Sequence, residues 1–247
     1  MRFWKYYAEG NSYVVVDDPG AAAALAGGVN DPARGLGGDG LLLAQWGSDR
    51  VGMRIVNPDG SAAPACGNGA RCLAALAIAL GRADPDAVLD VVSPGLTVRH
   101  RLLDRATWRF AQELTLATAP VEGTQFVLGT PHRVVLGPLA GLDPAVAGPP
   151  QERSWPGGTN VMFAEVRAAG RIAVLPWERG VGATLGCATG AAAAALAVAR
   201  REPAWPARTV VEQPGGTIAV TWDRARPDAL TLEGTARPIA TGEVHPW

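Results

Sequence analysis

Two short stretches hold residues able to do chemistry. "ACGNGARC" at 65–72 sets Cys66 before Gly67, Asn68 and Gly69, and "LGCATGAAAAALA" at 185–197 sets Cys187 before Ala188, Thr189 and Gly190. Each reads Cys-x-x-Gly-Ala and opens an alanine-rich helix. The first turn of a helix carries unpaired N–H groups and a partial positive charge. That setting lowers a thiol's pKa from about 8.5 towards neutrality and makes a usable base. The same N–H groups hold an anion such as a carboxylate, and the glycines let a ligand approach the backbone closely. Two such units bracketing one small anion would put a sulfur on each face of a carbon. One thiolate would take a proton while the opposing thiol delivered one to the other face, inverting the centre without a cofactor. The α-hydrogen of an amino acid is a very weak acid. Helix N-termini aimed at its carboxylate would stabilise the carbanion, the more so once water is removed.

A cysteine is also commonly a small buried hydrophobe. Cys72, inside the first alanine-rich helix and without a matched partner, is read that way. The matched contexts of Cys66 and Cys187 set those two apart.

Strand patterns dominate the elements that must position these units. Residues 2–7 and 12–17 read as a hairpin pair, as do 41–46 and 51–57, the latter closed after Asn57 by the turn signal "NPDG". "LDVVSPGLTVRHRL", "TNVMFAEVRAAGRIAVLPW" and "GTIAVTWDRARPDALTLEG" each read as two strands about a turn. The expected helices are an alanine-rich one near 20–27 and the two that follow Cys66 and Cys187, while the Pro/Gly-rich segment 137–158 reads as a long exposed loop. Hairpins with occasional helices argue an α+β fold with mostly antiparallel sheet. One cysteine–helix unit per half predicts two similar lobes, 1–115 carrying Cys66 and 116–236 carrying Cys187, with the tail 237–247 packing back on the first. Outside the Cys-x-x-Gly-Ala core the halves share little sequence. "GLGGDG" formally fits a dinucleotide-binding fingerprint, but a strand follows it rather than precedes it, so that reading is rejected.

Composition narrows the classes. The chain has 247 residues, 48% of them hydrophobic, and a net charge of −1, so no basic excess points to nucleic acid or an anionic membrane. No uninterrupted apolar run is long enough to span a bilayer, the N-terminus lacks the apolar core of a signal peptide, and a cytoplasmic protein is expected. Three cysteines do not make a disulfide framework, and a helix between Cys66 and Cys72 would hold their Cα atoms roughly 9 Å apart, beyond disulfide reach. Metal binding is not expected: no Cys-x-x-Cys or His-x-x-x-His pair exists, and His100, His132 and His245 are scattered. Lys5 is the only lysine and has no phosphate-binding loop beside it, which argues against a Schiff-base cofactor. No cofactor is expected. The expected partner is a small amino-acid substrate, and a homodimer is left open.

Over nearly the whole chain the sequence resembles the diaminopimelate epimerase family. "NPDGSAAPACGNGARCLA" is similar to that family's first catalytic segment and "WERGVGATLGCATGAAA" to its second, supported by "GNSYVVVDD", "GLGGDGLLL", "TPHRVV" and "GTNVMFAEV". The resemblance implies two lobes, each wrapping β-strands around a central helix, with the site in the cleft between them. It also implies interconversion of LL- and meso-diaminopimelate without pyridoxal phosphate, a step towards lysine and peptidoglycan. Carried over by motif, Cys66 and Cys187 become the acid/base pair, and Asn11, Asn57 and Asn160 contact the substrate's polar ends. Gly67, Asn68, Ala188 and Thr189 present donors to the reacting carboxylate. Arg179 suits a bidentate carboxylate contact, Glu178 an ammonium, and His132 stands near the reacting centre.

Each of these residues also has an ordinary reading: Asn57 as the start of a turn, Asn11 as a hairpin residue, Glu178 and Arg179 as a solvated pair, His132 as a loop or edge-strand residue. Thr130 replaces an asparagine of the family pattern, Ala188 a glycine and Ala183 a glutamate, so reaction type is better specified than substrate. Three rivals follow: an epimerase or racemase of another amino acid, a non-catalytic amino-acid-binding homologue, and a thiol redox protein.

Overall fold

In a computed structural model of the chain, the structure describes residues 1–18, 20, 25, 28–115, 124–226 and 229–245. Two compact units are present, Met1–Gln112 with Thr235–Trp247, and Glu113–Gly234. The fold is α+β. The helix expected near 20–27 falls mostly on residues outside those described, as does segment 116–123.

The first unit begins with the hairpin β1 (Arg2–Ala8) and β2 (Asn11–Val16), joined by Glu9 and Gly10, both at positive φ (32° and 98°). A two-residue turn with both central residues left-handed matches the right-handed twist of its strands. Next come β3 (Gly40–Trp46), β4 (Arg50–Val56), β5 (Ala62–Ala63), helix α1 (Gly67–Ala79), β6 (Leu89–Ser93), β7 (Leu96–Asp104) and β8 (Arg109–Thr115). The second unit runs β9 (Gln125–Leu128), β10 (Thr130–Leu136), α2 (Pro144–Glu152), β11 (Asn160–Ala168), β12 (Arg171–Glu178) and β13 (Gly182–Ala183). It continues through α3 (Ala188–Arg201), β14 (Arg208–Gln213), β15 (Gly216–Trp222) and β16 (Ala229–Thr235), and the final strand β17 (Arg237–Glu243) pairs antiparallel with β1. Val244 beyond it packs with Phe3, Val14 and Leu41.

The strand pairings of one unit are repeated in the other. β1–β2 is antiparallel, β2–β3 parallel, β3–β4 and β4–β5 antiparallel, β4–β6 parallel and β6–β7 antiparallel. The same order of hands recurs in β9–β10, β10–β11, β11–β12, β12–β13, β12–β14 and β14–β15. Thus the weak sequence repeat is a full topological repeat. Its parallel pairs were not visible in a reading of adjacent hairpins, because each joins strands from different hairpins.

Each unit encloses one helix. Every residue of α1 from Gly67 to Ile78 is buried, and so is every residue of α3 from Ala188 to Ala199. A helix apolar on all sides must be covered on all sides. The strands β1, β2, β4, β6, β7 and β17 cover α1, and β9, β10, β11, β12, β14 and β15 cover α3. Alanine suits this role, since small side chains let strands close around the helix while keeping high helix propensity. Arg200 and Arg201 lie in the last turn of α3, where cations suit the negative helix end.

Segment 137–158 is not the loop expected from its Pro/Gly content. Asp143 caps α2, its Oδ1 accepting from Ala145 N–H at 2.8 Å, and Pro144 takes the first position, where its missing N–H and fixed φ are favourable. At Gly148 a β-carbon would sit 2.4 Å from the Trp177 ring, so glycine there lets α2 lie against β12. Among the described residues no helix is long and apolar enough to cross a membrane.

Candidate active site

Both cysteines singled out by the sequence are helix N-caps. Cys66 is extended (φ −154°, ψ 116°) and its Sγ accepts from Gly69 N–H at 3.2 Å; Cys187 is extended (φ −140°, ψ 114°) and its Sγ accepts from Gly190 N–H at 3.3 Å. A sulfur here does what a serine or aspartate oxygen does at an ordinary N-cap. The positive helix end therefore acts directly on each sulfur. Gly67 and Asn68 in α1, and Ala188 and Thr189 in α3, hold the positions whose N–H groups have no acceptor within the helix. Cys66 is half-buried and Cys187 buried.

In the first unit Tyr13 Oη lies 2.9 Å from Cys66 Sγ. Asn11 and Asn68 are brought together, Asn68 Nδ2 donating to Asn11 Oδ1 at 2.7 Å. The Asn68 carbonyl oxygen accepts from Arg71 Nη2 at 2.6 Å, so its side chain is engaged within the unit. Asn57 sits in the turn before β5, where its amide donates to Ser61 Oγ at 3.0 Å and its N–H to Ser61 O.

Behind α1 lies a buried polar network that the sequence reading missed. Arg71 donates to Gln112 Oε1, to Glu9 Oε2 and, through Nε, to Thr235 O at 2.8 Å. Glu9 in turn accepts from Thr235 N–H and Oγ1. Gln112 Nε2 donates to Gly67 O at 2.9 Å, tying the network to the residue after Cys66. It also meets His100 Nε2 at 3.0 Å. Burial, assisted by the Arg71 charge, pushes His100 down to about 3, so its ring is neutral. Nε2 then accepts from Gln112 and Nδ1–H donates to Val98 O at 3.1 Å. One signal did exist: Arg71 is a charge within an otherwise apolar helix, and a buried charge must be paired.

In the second unit Cys187, Thr189, His132, Asn160 and the Arg179 backbone are linked in one chain, with Asn160 Nδ2 3.4 Å from His132 Nε2. His132 stands opposite Asn160 in the β10–β11 pairing. Its Nε2 lies 3.0 Å from Thr189 Oγ1, which is 3.6 Å from Cys187 Sγ. Burial pushes His132 down to about 4, leaving a neutral imidazole. Asn160 Nδ2 donates to Thr130 Oγ1 at 3.1 Å and its Oδ1 accepts from Arg179 N–H at 2.9 Å. The Arg179 guanidinium is exposed and donates to the carbonyls of Gly157 and Gly158 at 2.9 and 3.4 Å. The Glu178 carboxylate accepts from Thr184 Oγ1 at 2.7 Å. Gln213 was missed: its Oε1 accepts from Cys187 N–H at 2.7 Å, while its buried Nε2 has no partner among the described residues.

Cys72 is fully buried, and that burial raises its pKa far above the ordinary thiol value, which makes it a packing residue. Lys5 Nζ donates to Leu36 O at 2.8 Å. The "GLGGDG" glycines lead into β3, and Asp39 between them accepts from Ser12 N–H at 2.6 Å. Among the described residues no group of three His, Cys, Asp or Glu side chains is placed to hold a metal ion.

Comparison with known proteins bears on the family and the fold. The family model for diaminopimelate epimerase matches residues 3–101 and 129–238. A diaminopimelate epimerase of Desulforudis audaxviator is 36% identical over 98% of this chain and 99% of its own length. One from a Synechococcus strain is 34% identical over 90% and 91%. Among solved structures, a probable proline racemase from Agrobacterium radiobacter superposes with a TM-score of 0.72 at 16% identity, over 99% of this chain and 92% of that one. A hydroxyproline epimerase from Agrobacterium vitis gives 0.70 at 15%, over 99% and 90%. At those identities the superpositions speak for the fold alone. The chain belongs to the diaminopimelate epimerase family.

Proposed function

We propose that this protein is a diaminopimelate epimerase that interconverts the LL and meso isomers by exchanging a proton at one α-carbon, with Cys66 and Cys187 as the acid/base pair. The observation that carries the reading is the matched N-cap bond: at the same place in a repeated topology, each sulfur accepts the amide of the third residue beyond it. The two relatives above, both named diaminopimelate epimerase and matched along nearly their full length, supply the substrate.

One thiolate removes the α-proton and the thiol of the other cysteine protonates the opposite face; the reverse reaction exchanges their roles. Carbanion charge flows into the substrate carboxylate, which takes the N–H groups of Gly67, Asn68, Ala188 and Thr189. His132 and Thr189 give the Cys187 proton a hydrogen-bonded neighbourhood. Asn11 and Asn160 contact the polar ends of the substrate. Asn57, Glu178 and Arg179 join them by exchanging their present partners, Ser61, Thr184 and the Gly157–Gly158 carbonyls. A cytoplasmic setting suits this chemistry, because its reducing poise keeps both sulfurs out of disulfides.

The test is α-hydrogen exchange in heavy water with purified protein and each stereoisomer of diaminopimelate, alongside proline and the basic amino acids. Exchange confined to diaminopimelate is expected. Exchange with another amino acid alone would move the assignment to that substrate, the reading that Thr130 and Ala188 favour. Binding without exchange would leave an amino-acid-binding protein, and activity that requires a cycling disulfide would make it a redox protein.

A further inference from the structure

The repeated topology places different groups at one matched position. Tyr13 on β2 pairs with the first residue of β3, Gly40, and His132 on β10 pairs with the first residue of β11, Asn160. Both reach the N-cap cysteine of their own unit. Tyr13 does so directly, with Oη 2.9 Å from Cys66 Sγ, and His132 does so through Thr189. A neutral imidazole at the end of a hydroxyl chain accepts a hydrogen bond. A phenol, with a pKa near 10, donates one to any sulfur anion beside it.

We propose that Tyr13 is a positioning residue of the Cys66 sulfur: its phenol O–H donates to Sγ and holds Cys66 as the thiolate in the resting protein. With Gly69 N–H at 3.2 Å, the sulfur then accepts two hydrogen bonds at the positive end of α1. An oxygen–sulfur separation of 2.9 Å suits a charge-assisted bond, which is shorter and stronger than a neutral one. Tyr13 is buried at 5% exposure in the middle of β2, so strand pairing fixes the ring and water does not compete for the bond. On the other side, Cys187 donates S–H to Thr189 Oγ1, whose own hydrogen goes to His132 Nε2, and so keeps its proton. The protein rests with its base on Cys66 and its acid on Cys187. This rests on the acid/base reading of the two cysteines, and its test uses a readout independent of turnover.

The experiment is alkylation of the full-length protein with iodoacetamide across a pH series, with modification at the Cys66 and Cys187 peptides quantified separately by mass spectrometry. Tyr13→Phe removes only the hydroxyl. We expect it to move the Cys66 midpoint up by about one pH unit and to leave the Cys187 midpoint in place. Wild-type protein carrying 3-fluorotyrosine, a stronger donor of nearly the same shape, moves the Cys66 midpoint down and serves as the test if Tyr13→Phe does not fold. An unmoved Cys66 midpoint in folded Tyr13→Phe, or in the fluorinated protein, overturns the assignment. A shifted midpoint in a protein that exchanges no substrate hydrogen would leave the Tyr13 assignment standing and remove the functional reading instead.

Discussion

The Arg71 guanidinium and the Glu9 carboxylate meet inside the first unit, with 0% and 5% of their side chains exposed. Glu9 occupies a left-handed backbone conformation that glycine or asparagine ordinarily fills, and its two carboxylate oxygens are held by Arg71 and Thr235. Arg71→Met would strand that carboxylate away from water. It should cost about 3–5 kcal/mol, read as a lower urea midpoint. Adding Glu9→Gln should recover part of the loss, because no bare charge then remains.

Gly190 and Met162 define the tightest contact at the α3 N-terminus. A β-carbon at Gly190 would lie 2.2 Å from Met162 Sδ and 3.1 Å from Cys187 Sγ. Gly190→Ala should destabilise by roughly 1–3 kcal/mol through overpacking and displace the Cys187 sulfur. A double-mutant cycle with Met162→Ala, followed by thermal melting, should show strong coupling, since the shorter side chain makes room.

Capping and acid/base work are separable at both cysteines. Serine is a good N-cap and a poor base near neutrality, so Cys66→Ser and Cys187→Ser should keep stability while turnover falls by on the order of 10²–10⁴. The alanine variants should lose turnover and about 1 kcal/mol of stability as well. Denaturation and epimerisation assays on all four proteins check this.

How much of this was legible is clearest in particular residues. Hairpins, the cysteine–helix junctions and Cys72 as a packing residue followed from alternation, turn signals and composition, all of which act locally. In α2, Asp143-Pro144 is a helix-start signal that the surrounding prolines and glycines masked. The network of Glu9, Arg71, Gln112 and Thr235 joins residues 41 to 226 positions apart, and no local pattern encodes such partners. Tyr13 was hidden for the same reason. The apolar run Tyr13–Val16 in β2 marks it as a buried residue but cannot say that its hydroxyl ends beside a sulfur 53 positions on.

Stability should fall in acid because two histidines are buried neutral. Their folded values, about 3 for His100 and about 4 for His132, lie below the unfolded value near 6.5. Between these limits the unfolded chain binds protons that the folded one does not, so stability rises with pH across that window and is lost as pH falls. Each histidine contributes a slope of up to ~1.4 kcal/mol per pH unit. Denaturant melts from pH 7 to pH 4 should show this loss, and His100→Gln, which keeps an acceptor for Gln112, should remove about one histidine's share.

The most direct measurement is the isotopic content of the first product formed from LL-diaminopimelate in deuterium oxide. If two opposed thiols act, the donor sulfur has already exchanged with solvent. The earliest meso product then carries deuterium at the inverted carbon, while recovered LL substrate carries none. Product that retains the substrate's own hydrogen would show a single group moving one proton across the carbon, and would contradict the pairing of Cys66 with Cys187.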